Sequence, residues 1–245
     1  MHPVLFEISG LTVYSYGVCT LLSYLAFGGL LLFTAKRLEV TKDAAVLIAV
    51  GLVLGSLVGG RLGFVFFNFR EPYALRALFA TSGAFFSFTA VIGGVLGPML
   101  VAWSTKRPVG TALDLITPPM LGAWAVGNLG CFLAGCCWGP LTDVPWAVRF
   151  FADVLPPEVR GLPVHPTQLY SLASDVLVLA LVLALPRGAP GTMFLRGVLG
   201  LVSIKLVLIA LGVDQGGLKL IVFPVLAAVC TALLIALRDR APQPS

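Results

Sequence analysis

Apolar runs long enough to cross a lipid bilayer follow one another through most of this 245-residue sequence. A helix needs about 20 apolar residues to cross a hydrocarbon core about 30 Å thick, and several runs reach that length. Charged residues make up 11% of the chain, whereas soluble domains average about 25%. The short alternating segments of a membrane β-barrel are absent from the sequence. The sequence therefore predicts an all-α, polytopic membrane protein.

The hydropathy pattern predicts about seven transmembrane helices in a single integral membrane domain covering residues 1–245. They are placed at about 11–34, 45–67, 84–104, 110–134, 168–186, 193–212 and 219–237. The fourth span contains Pro118 and Pro119, and a proline pair frees carbonyls that need other partners. We therefore expect an irregular segment lining a cavity there. No cleavable signal peptide is expected, because the first ten residues lack a basic region and carry Glu7.

The basic residues of the loops predict the orientation. An outside N-terminus gives the short inner loops and tail Lys36, Arg37, Lys42, Lys106, Arg107, Arg187, Arg238 and Arg240, and the outer loops Arg70, Arg76, Arg149, Arg160 and Lys219. This distribution follows the positive-inside rule, so we expect the N-terminus outside and the C-terminus in the cytoplasm. The same rule explains the net charge of +5 without a nucleic-acid partner.

The long loop at about 137–167 then faces outward. It carries Trp146, Phe150 and Phe151 among charged residues. Aromatic side chains in such a setting are typical of a segment lying at the headgroup level. We therefore expect an interfacial element in this loop.

Among the charged residues inside predicted spans, four are singled out: Arg61, Asp114, Asp175 and Lys205. Because charge in the hydrocarbon region is costly, such residues are candidates for a functional site, with a buried ion pair or snorkelling as the alternative. Arg61 follows Gly59 and Gly60, which permit close approach of another backbone. Its guanidinium is suited to holding a lipid phosphate.

The stretch "GNLGCFLAGCCWGPL", residues 127–141, concentrates cysteine and glycine in one turn-prone segment. Cys131, Cys136 and Cys137 are open to several interpretations: small buried hydrophobic residues, a disulfide, or a thiolate nucleophile with His165 of "HPTQLYS" as its base. A zinc site of these cysteines with His165 is disfavoured, because zinc ligands usually come in pairs two to four residues apart. We expect no metal.

Several segments, taken in order, resemble the prolipoprotein diacylglyceryl transferase family over nearly the whole chain: "HPVLFEISGLTVYSYGV", "GSLVGGRLGFVFF", "DLITPPMLGAWAVGNLGCFLAGCCWG" and "HPTQLY". The resemblance implies a multi-pass protein of the bacterial cytoplasmic membrane that needs no cofactor. It implies an enzyme that moves diacylglyceryl from phosphatidylglycerol to the lipobox cysteine thiol of a secreted preprotein and releases glycerol phosphate. Membrane lipids and the preprotein are the implied partners.

The resemblance also implies site residues. The catalytic candidates are His165, Tyr16, Lys205 and Cys136. The substrate-binding candidates are Arg61, Asp114, Asn128, Gly130, Cys131, Gly139, Gln168 and Tyr170. Arg61 and Lys205 would hold the phosphate, and His165 would act as base or orienting donor. Hydrogen bonds would come from Tyr16, Asn128 and Gln168.

The sequence departs from the family pattern at several of these positions. Asn128, Cys131 and Cys136 stand where the family has Arg, Asn and Glu; Thr89, Ser171, Lys205 and Ile209 replace its His, Glu, Arg and Glu. These departures leave two alternatives open. One is a paralogue in which Cys136 or Cys137 is itself acylated or alkylated. The other is a lipid- or lipoprotein-binding pseudoenzyme. A transporter is disfavoured because no internal repeat is visible.

Overall fold

The computed structural model describes residues 4–8, 11–69, 87–151, 160–213 and 219–239. In these residues the chain forms seven α-helices and two short hairpins. The helices are α1 (Ser15–Arg37), α2 (Lys42–Phe67), α3 (Ser87–Ser104), α4 (Val109–Ala134), α5 (Thr167–Ala184), α6 (Thr192–Ala210) and α7 (Lys219–Asp239). The hairpins are β1 (Val4–Ile8) with β2 (Leu11–Tyr14) and β3 (Val148–Arg149) with β4 (Pro163–Val164).

The predicted polytopic helical architecture is confirmed. Within the described residues, six helices are long and apolar enough to cross a membrane, and α3 is a shorter apolar helix over its described side chains. The predicted start of the first span is four residues early, since residues 11–14 pair with β1 as a strand. The helix begins at Ser15, a residue fully buried.

The expected irregularity at Pro118 and Pro119 is wrong. α4 runs as one helix from Val109 to Ala134 and includes both prolines, whose side chains are fully buried. Tertiary packing holds the helical geometry where the two missing N–H donors weaken it. The close contact between α4 and α6 illustrates this packing, because a Cβ on Gly197 would lie 2.8 Å from the Thr117 methyl.

The chain forms two compact units, one of residues 1–30 and 117–245 and the other of residues 31–116. In the first unit, α4, α5 and α6 share an apolar core of Leu121, Val178, Val182 and Met193. At the end of α4 a second small core surrounds Phe150, which is 2% exposed and lies against Phe132 with the ring centroids 6.1 Å apart.

For Phe150, the predicted position at the membrane interface is wrong, because this second core buries it. Phe150 is buried beside Val164, because the β3–β4 hairpin folds the loop back onto α4. Trp146 and Phe151 are exposed. Residues 152–159 of this loop lie outside the described residues.

In the second unit, α2 and α3 pack with their backbones in contact through glycines. A Cβ on Gly93 would overlap the carbonyl oxygen of Gly55, and one on Gly97 would overlap that of Gly51. A Cβ on Gly59 would overlap the Thr89 carbonyl. The predicted close backbone approach beside Arg61 is confirmed at Gly59. The four-residue spacing of Gly51, Gly55 and Gly59 is the small-residue pattern of tightly packed membrane helices.

Candidate functional site

The end of α4 turns sharply, and the turn brings three cysteines together. Gly135 has φ +79° and ends the helix in the left-handed region, as glycine commonly does. Cys137 has φ +61°, which costs a non-glycine residue about 1–2 kcal/mol. The Cys136 N–H donates to the Cys131 carbonyl at 3.1 Å. As a result, the Sγ atoms of Cys131, Cys136 and Cys137 all lie within 4.8 Å of one another.

The cysteine turn is fastened to the segment that leads into α5. Thr167 Oγ1 donates to the Cys137 carbonyl at 2.7 Å, and Gln168 Nε2 donates to the Cys136 carbonyl. Gly139 N–H donates to the His165 carbonyl at 3.0 Å. There is no room for a side chain at Gly139, where a Cβ would lie 2.6 Å from the Thr167 methyl. The two motifs singled out in the sequence therefore form one rigid unit.

His165 is held by a tyrosine and a tryptophan. Its Nδ1 lies 3.1 Å from Tyr170 Oη, which accepts the Trp146 indole N–H at 2.7 Å. Because the indole nitrogen only donates, the tyrosine proton is available to Nδ1. This favours the tautomer with the proton on Nε2. His165 is 9% exposed, so the arrangement fixes its ring.

A cavity of about 490 Å³ opens beside this unit. It lies among the end of α4, the start of α5, the end of α6 and the start of α7. Its lining includes two ammonium groups, two side-chain amides and one thiol: Lys205, Lys219, Asn128, Gln168 and Cys137. The remaining lining is Trp138, Gly139, Pro140, Thr167, Ser171, Leu208 and Val213.

Hydrogen bonds between helices position the polar groups of the cavity. Asn128 Nδ2 donates to Asp175 Oδ2 at 2.9 Å, and Lys205 Nζ donates to Ser171 Oγ at 3.2 Å. Asp175 is 5% exposed, so a buried carboxylate adjoins the cationic wall. The Gln168 Oε1 atom is also buried and has no hydrogen-bond partner among the described residues.

The two cysteines beyond the helix end have different thiol acidity. Hydrogen bonds from Cys131 and Cys136 lower the pKa of Cys137 to about 6, against the opposing effect of burial. Burial is the main cause that raises the pKa of Cys136. Cys137 is also the exposed member of the three and lines the cavity. Its lowered pKa makes Cys137 the most acidic thiol of the three.

Comparison with known proteins identifies the family. The model of the family described as prolipoprotein diacylglyceryl transferase matches residues 3–234. The chain belongs to this family. Proteins named phosphatidylglycerol–prolipoprotein diacylglyceryl transferase are similar over most of their length. The one from Clostridium tetani is 34% identical, covering 73% of this chain and 71% of its own. The one from Bordetella bronchiseptica is 33% identical, covering 80% and 78%.

In this family member, the structure brings several predicted site residues together. Asn128, Gly139, Gln168 and Lys205 line the cavity. Beside it lie the predicted residues Cys131, Cys136, His165 and Tyr170.

Tyr16 and Gly130 also meet, because a Cβ on Gly130 would lie 3.6 Å from the Tyr16 ring and 2.7 Å from Cys19. Arg61 and Asp114 belong to the other compact unit, where Arg61 is half-buried and Asp114 is buried.

The predicted set of site residues did not include several residues that line the cavity, among them Trp138, Thr167, Ser171 and Lys219. It also did not include Asp175, which accepts the hydrogen bond from Asn128. For Asp175, the signal in the sequence was a charge inside a span. Ser171 was visible as a departure from the family glutamate. Its hydroxyl is the hydrogen-bond partner of Lys205.

We expect alkylation of Cys137 by iodoacetamide to reach half its maximal rate near pH 6, because the thiolate is the reactive form. An ordinary cysteine has its midpoint at about pH 8.5. Peptide mass analysis of the reduced, chelator-treated protein measures the rate at each cysteine. Cys131→Ala removes the main hydrogen bond and should move the midpoint upward. A midpoint near pH 8.5 in the unaltered protein contradicts the prediction.

Proposed function

We propose that this protein is a phosphatidylglycerol–prolipoprotein diacylglyceryl transferase of the bacterial cytoplasmic membrane. The observation that carries the proposal is the cavity at the helix ends, which places Lys205 and Lys219 beside the Asn128 and Gln168 amides. A cationic site with hydrogen-bonding groups among membrane-spanning helices suits a phospholipid headgroup. Membership of the family supports the same reaction.

The chemistry is the replacement of a phosphate leaving group by sulfur. The acceptor thiolate attacks the glycerol carbon that carries the phosphate, the carbon–oxygen bond breaks, and glycerol phosphate leaves. Negative charge builds on the departing phosphate, and preorganised cations at that position stabilise the transition state. Lys205 is held in place by Ser171, and we assign it this role. Lys219 lines the same cavity and adds a second positive charge.

Gln168 fits recognition of the headgroup glycerol. Its Nε2 is committed to the Cys136 carbonyl, while Oε1 is a buried acceptor with no partner among the described residues. A buried acceptor left unsatisfied costs about 1–3 kcal/mol. A hydroxyl of the bound headgroup would satisfy it, and this favours a polyol headgroup in the cavity.

His165 fits the orienting role better than that of base. Its Nδ1 is bonded to Tyr170, and its backbone N–H donates to the Pro140 carbonyl at 3.0 Å. The residue therefore ties the cysteine turn to α5. Its removal would loosen the cavity wall that Gly139 and Thr167 share.

The predicted orientation, with the N-terminus outside, would put the cavity at the outer leaflet. When seven helices cross in alternation, the start of α1, the end of α4, the start of α5, the end of α6 and the start of α7 share one side. The cavity is built from the last four of these ends, and Tyr16, at the start of α1, lies against Gly130 near the end of α4. Secreted preproteins present their lipobox cysteine on that side.

A direct transfer assay tests the proposal. Purified full-length protein is mixed with phosphatidylglycerol vesicles and a synthetic lipobox peptide, and the peptide mass is followed over time. We expect the diacylglyceryl mass increment on the peptide cysteine and none on a peptide with serine at that position. No increment, while a family enzyme works in parallel, contradicts the proposal.

One observation favours a second candidate function. Cys137 lines the cavity and is the acidic thiol of the site, so the lipid group would be received by the protein itself. Intact-mass analysis of the same reaction distinguishes the two functions. A lipid adduct on the protein that is lost in the Cys136→Ser, Cys137→Ser double variant supports the second.

A further inference from the structure

The geometry points to a three-thiolate site for a zinc-class, thiophilic metal ion at the end of α4, formed by Cys131, Cys136 and Cys137. We further infer that its open fourth position takes the acceptor thiol. The second part rests on the proposed function, whereas the first part stands without it. The spacing of the three cysteines in sequence disfavours such a site. The folded turn reverses that expectation.

Convergence of the three sulfurs is the first observation. The Sγ atoms lie within 4.8 Å of one another, while zinc–sulfur bonds of about 2.3 Å in a tetrahedron require sulfurs about 3.8 Å apart. Small side-chain rotations are enough to close that difference. Thiolate ligands select soft ions such as zinc and monovalent copper over magnesium or calcium.

A backbone built to hold this turn is the second observation. Two left-handed residues, Gly135 and Cys137, fold Cys136 and Cys137 back toward Cys131. Left-handed backbone at a non-glycine residue persists when the surroundings hold it in place. Here Thr167 and Gln168 hold the Cys137 and Cys136 carbonyls. Residues of α5 thus hold the backbone of the ligand cysteines in place. Metal sites depend on such supporting contacts.

The number of ligands is the third observation. Among the described residues, these three cysteines are the only His, Cys, Asp or Glu side chains that converge in a group of three or more. Structural zinc sites usually have four protein ligands, whereas catalytic zinc sites have three and keep one position open. Cys137 is exposed and lines the cavity. An ion held by Cys137 would therefore lie at the cavity wall, and an open fourth position would face the cavity.

Such an ion would activate the acceptor thiol, a function that the two lysines of the cavity wall do not provide. Besides Cys137, the titratable side chains that line the cavity within the described residues are two lysines, which suit a phosphate better than a thiol proton. A thiol that binds zinc is deprotonated outright. The acceptor thiol would release its proton to water on binding and remain as thiolate. Its sulfur would then form the bond to the glycerol carbon as the carbon–phosphate-oxygen bond breaks, and the neutral thioether would leave the ion.

Metal binding to the full-length protein in detergent, after complete thiol reduction and chelator treatment, tests the first part. We expect one Zn(II) per chain by elemental analysis, and Co(II) as a probe should give the absorption of a tetrahedral thiolate complex. Cys131→Ser, Cys136→Ser and Cys137→Ser should each weaken binding by at least about a hundredfold, since changes even to supporting residues cost 10–100-fold. Cys230→Ser, which changes a buried cysteine of α7, is the matched control and should bind normally. No uptake by the reduced protein, or undiminished binding by any of the three variants, overturns the site.

The fourth position is tested with the lipobox peptide. The peptide should shift the Co(II) spectrum, and its serine analogue should not. In the transfer assay, metal removal should lower the rate at least tenfold, and Zn(II) should restore it. Zinc binding without transfer under any condition sinks the proposed function and leaves the metal site standing. Transfer at an equal rate with and without metal overturns the role of the ion, while the proposed function stands.

Discussion

Replacement of Lys205 by alanine is expected to lower kcat/KM for diacylglyceryl transfer by about a hundred- to a thousandfold. That is the usual loss when one preorganised group that stabilises transition-state charge is removed. Lys205 lines the cavity and its Nζ is fixed by Ser171 Oγ at 3.2 Å. Since the charge develops on the phosphate as it leaves, the loss should appear mainly in kcat. Steady-state kinetics with phosphatidylglycerol vesicles and lipobox peptide measure it.

Two variants control the Lys205 experiment. Lys205→Arg keeps a positive charge at this position and should keep most of the activity. Arg196→Ala removes a cation from the same helix. The Arg196 guanidinium donates to the Pro186 carbonyl at 2.7 Å, so this variant should leave kcat unchanged. A Lys205→Ala enzyme within a factor of two of the unaltered protein rules out the assigned role.

A single methyl group at Gly93 is expected to reduce the stability of the protein by about 2 kcal/mol, within the usual cost of overpacking. The added Cβ would overlap the carbonyl oxygen of Gly55 on α2. Backbone cannot rotate away as a side chain can, so α2 and α3 have to separate. Unfolding followed by circular dichroism in detergent should show a lower midpoint for Gly93→Ala.

Gly29→Ala is the matched comparison, because it is also a helical glycine but a Cβ there meets nothing within 4 Å. Alanine is the better helix former by about 1 kcal/mol, so this variant should be as stable as the unaltered protein or more stable. Equal behaviour of the two variants would show that the α2–α3 contact does not hold the unit together.

Hydropathy and the positions of helix-breaking residues were enough to predict the helices. Burial in lipid is a local property of composition, so the seven apolar runs could be read within a few residues. The errors have physical reasons that local sequence does not carry. Residues 11–14 are apolar like the helix that follows, but they pair with β1. Pro118 and Pro119 break isolated helices, yet packing against neighbours keeps α4 continuous.

The charged and reactive residues of the site stood out in the sequence, but the residues that contact them did not. A charge in a span, three cysteines near glycines and a histidine before proline each marked a position. Asn128 and Asp175 are 47 residues apart, and Gln168 and Cys136 are 32 apart. Which of these groups meet depends on the rotation and depth of each helix against the next.

What the sequence by itself determined is the membrane-embedded helical fold and the family, since both depend on residue types in order along the chain. What only the tertiary structure decided is the site. Left-handed backbone at Gly135 and Cys137 brings together three cysteines whose spacing in the sequence does not suit a zinc site. The absence of a side chain at Gly139 lets that cluster lock onto the start of α5. Both effects arise from contacts between distant segments, and such contacts exist only once the helices have packed.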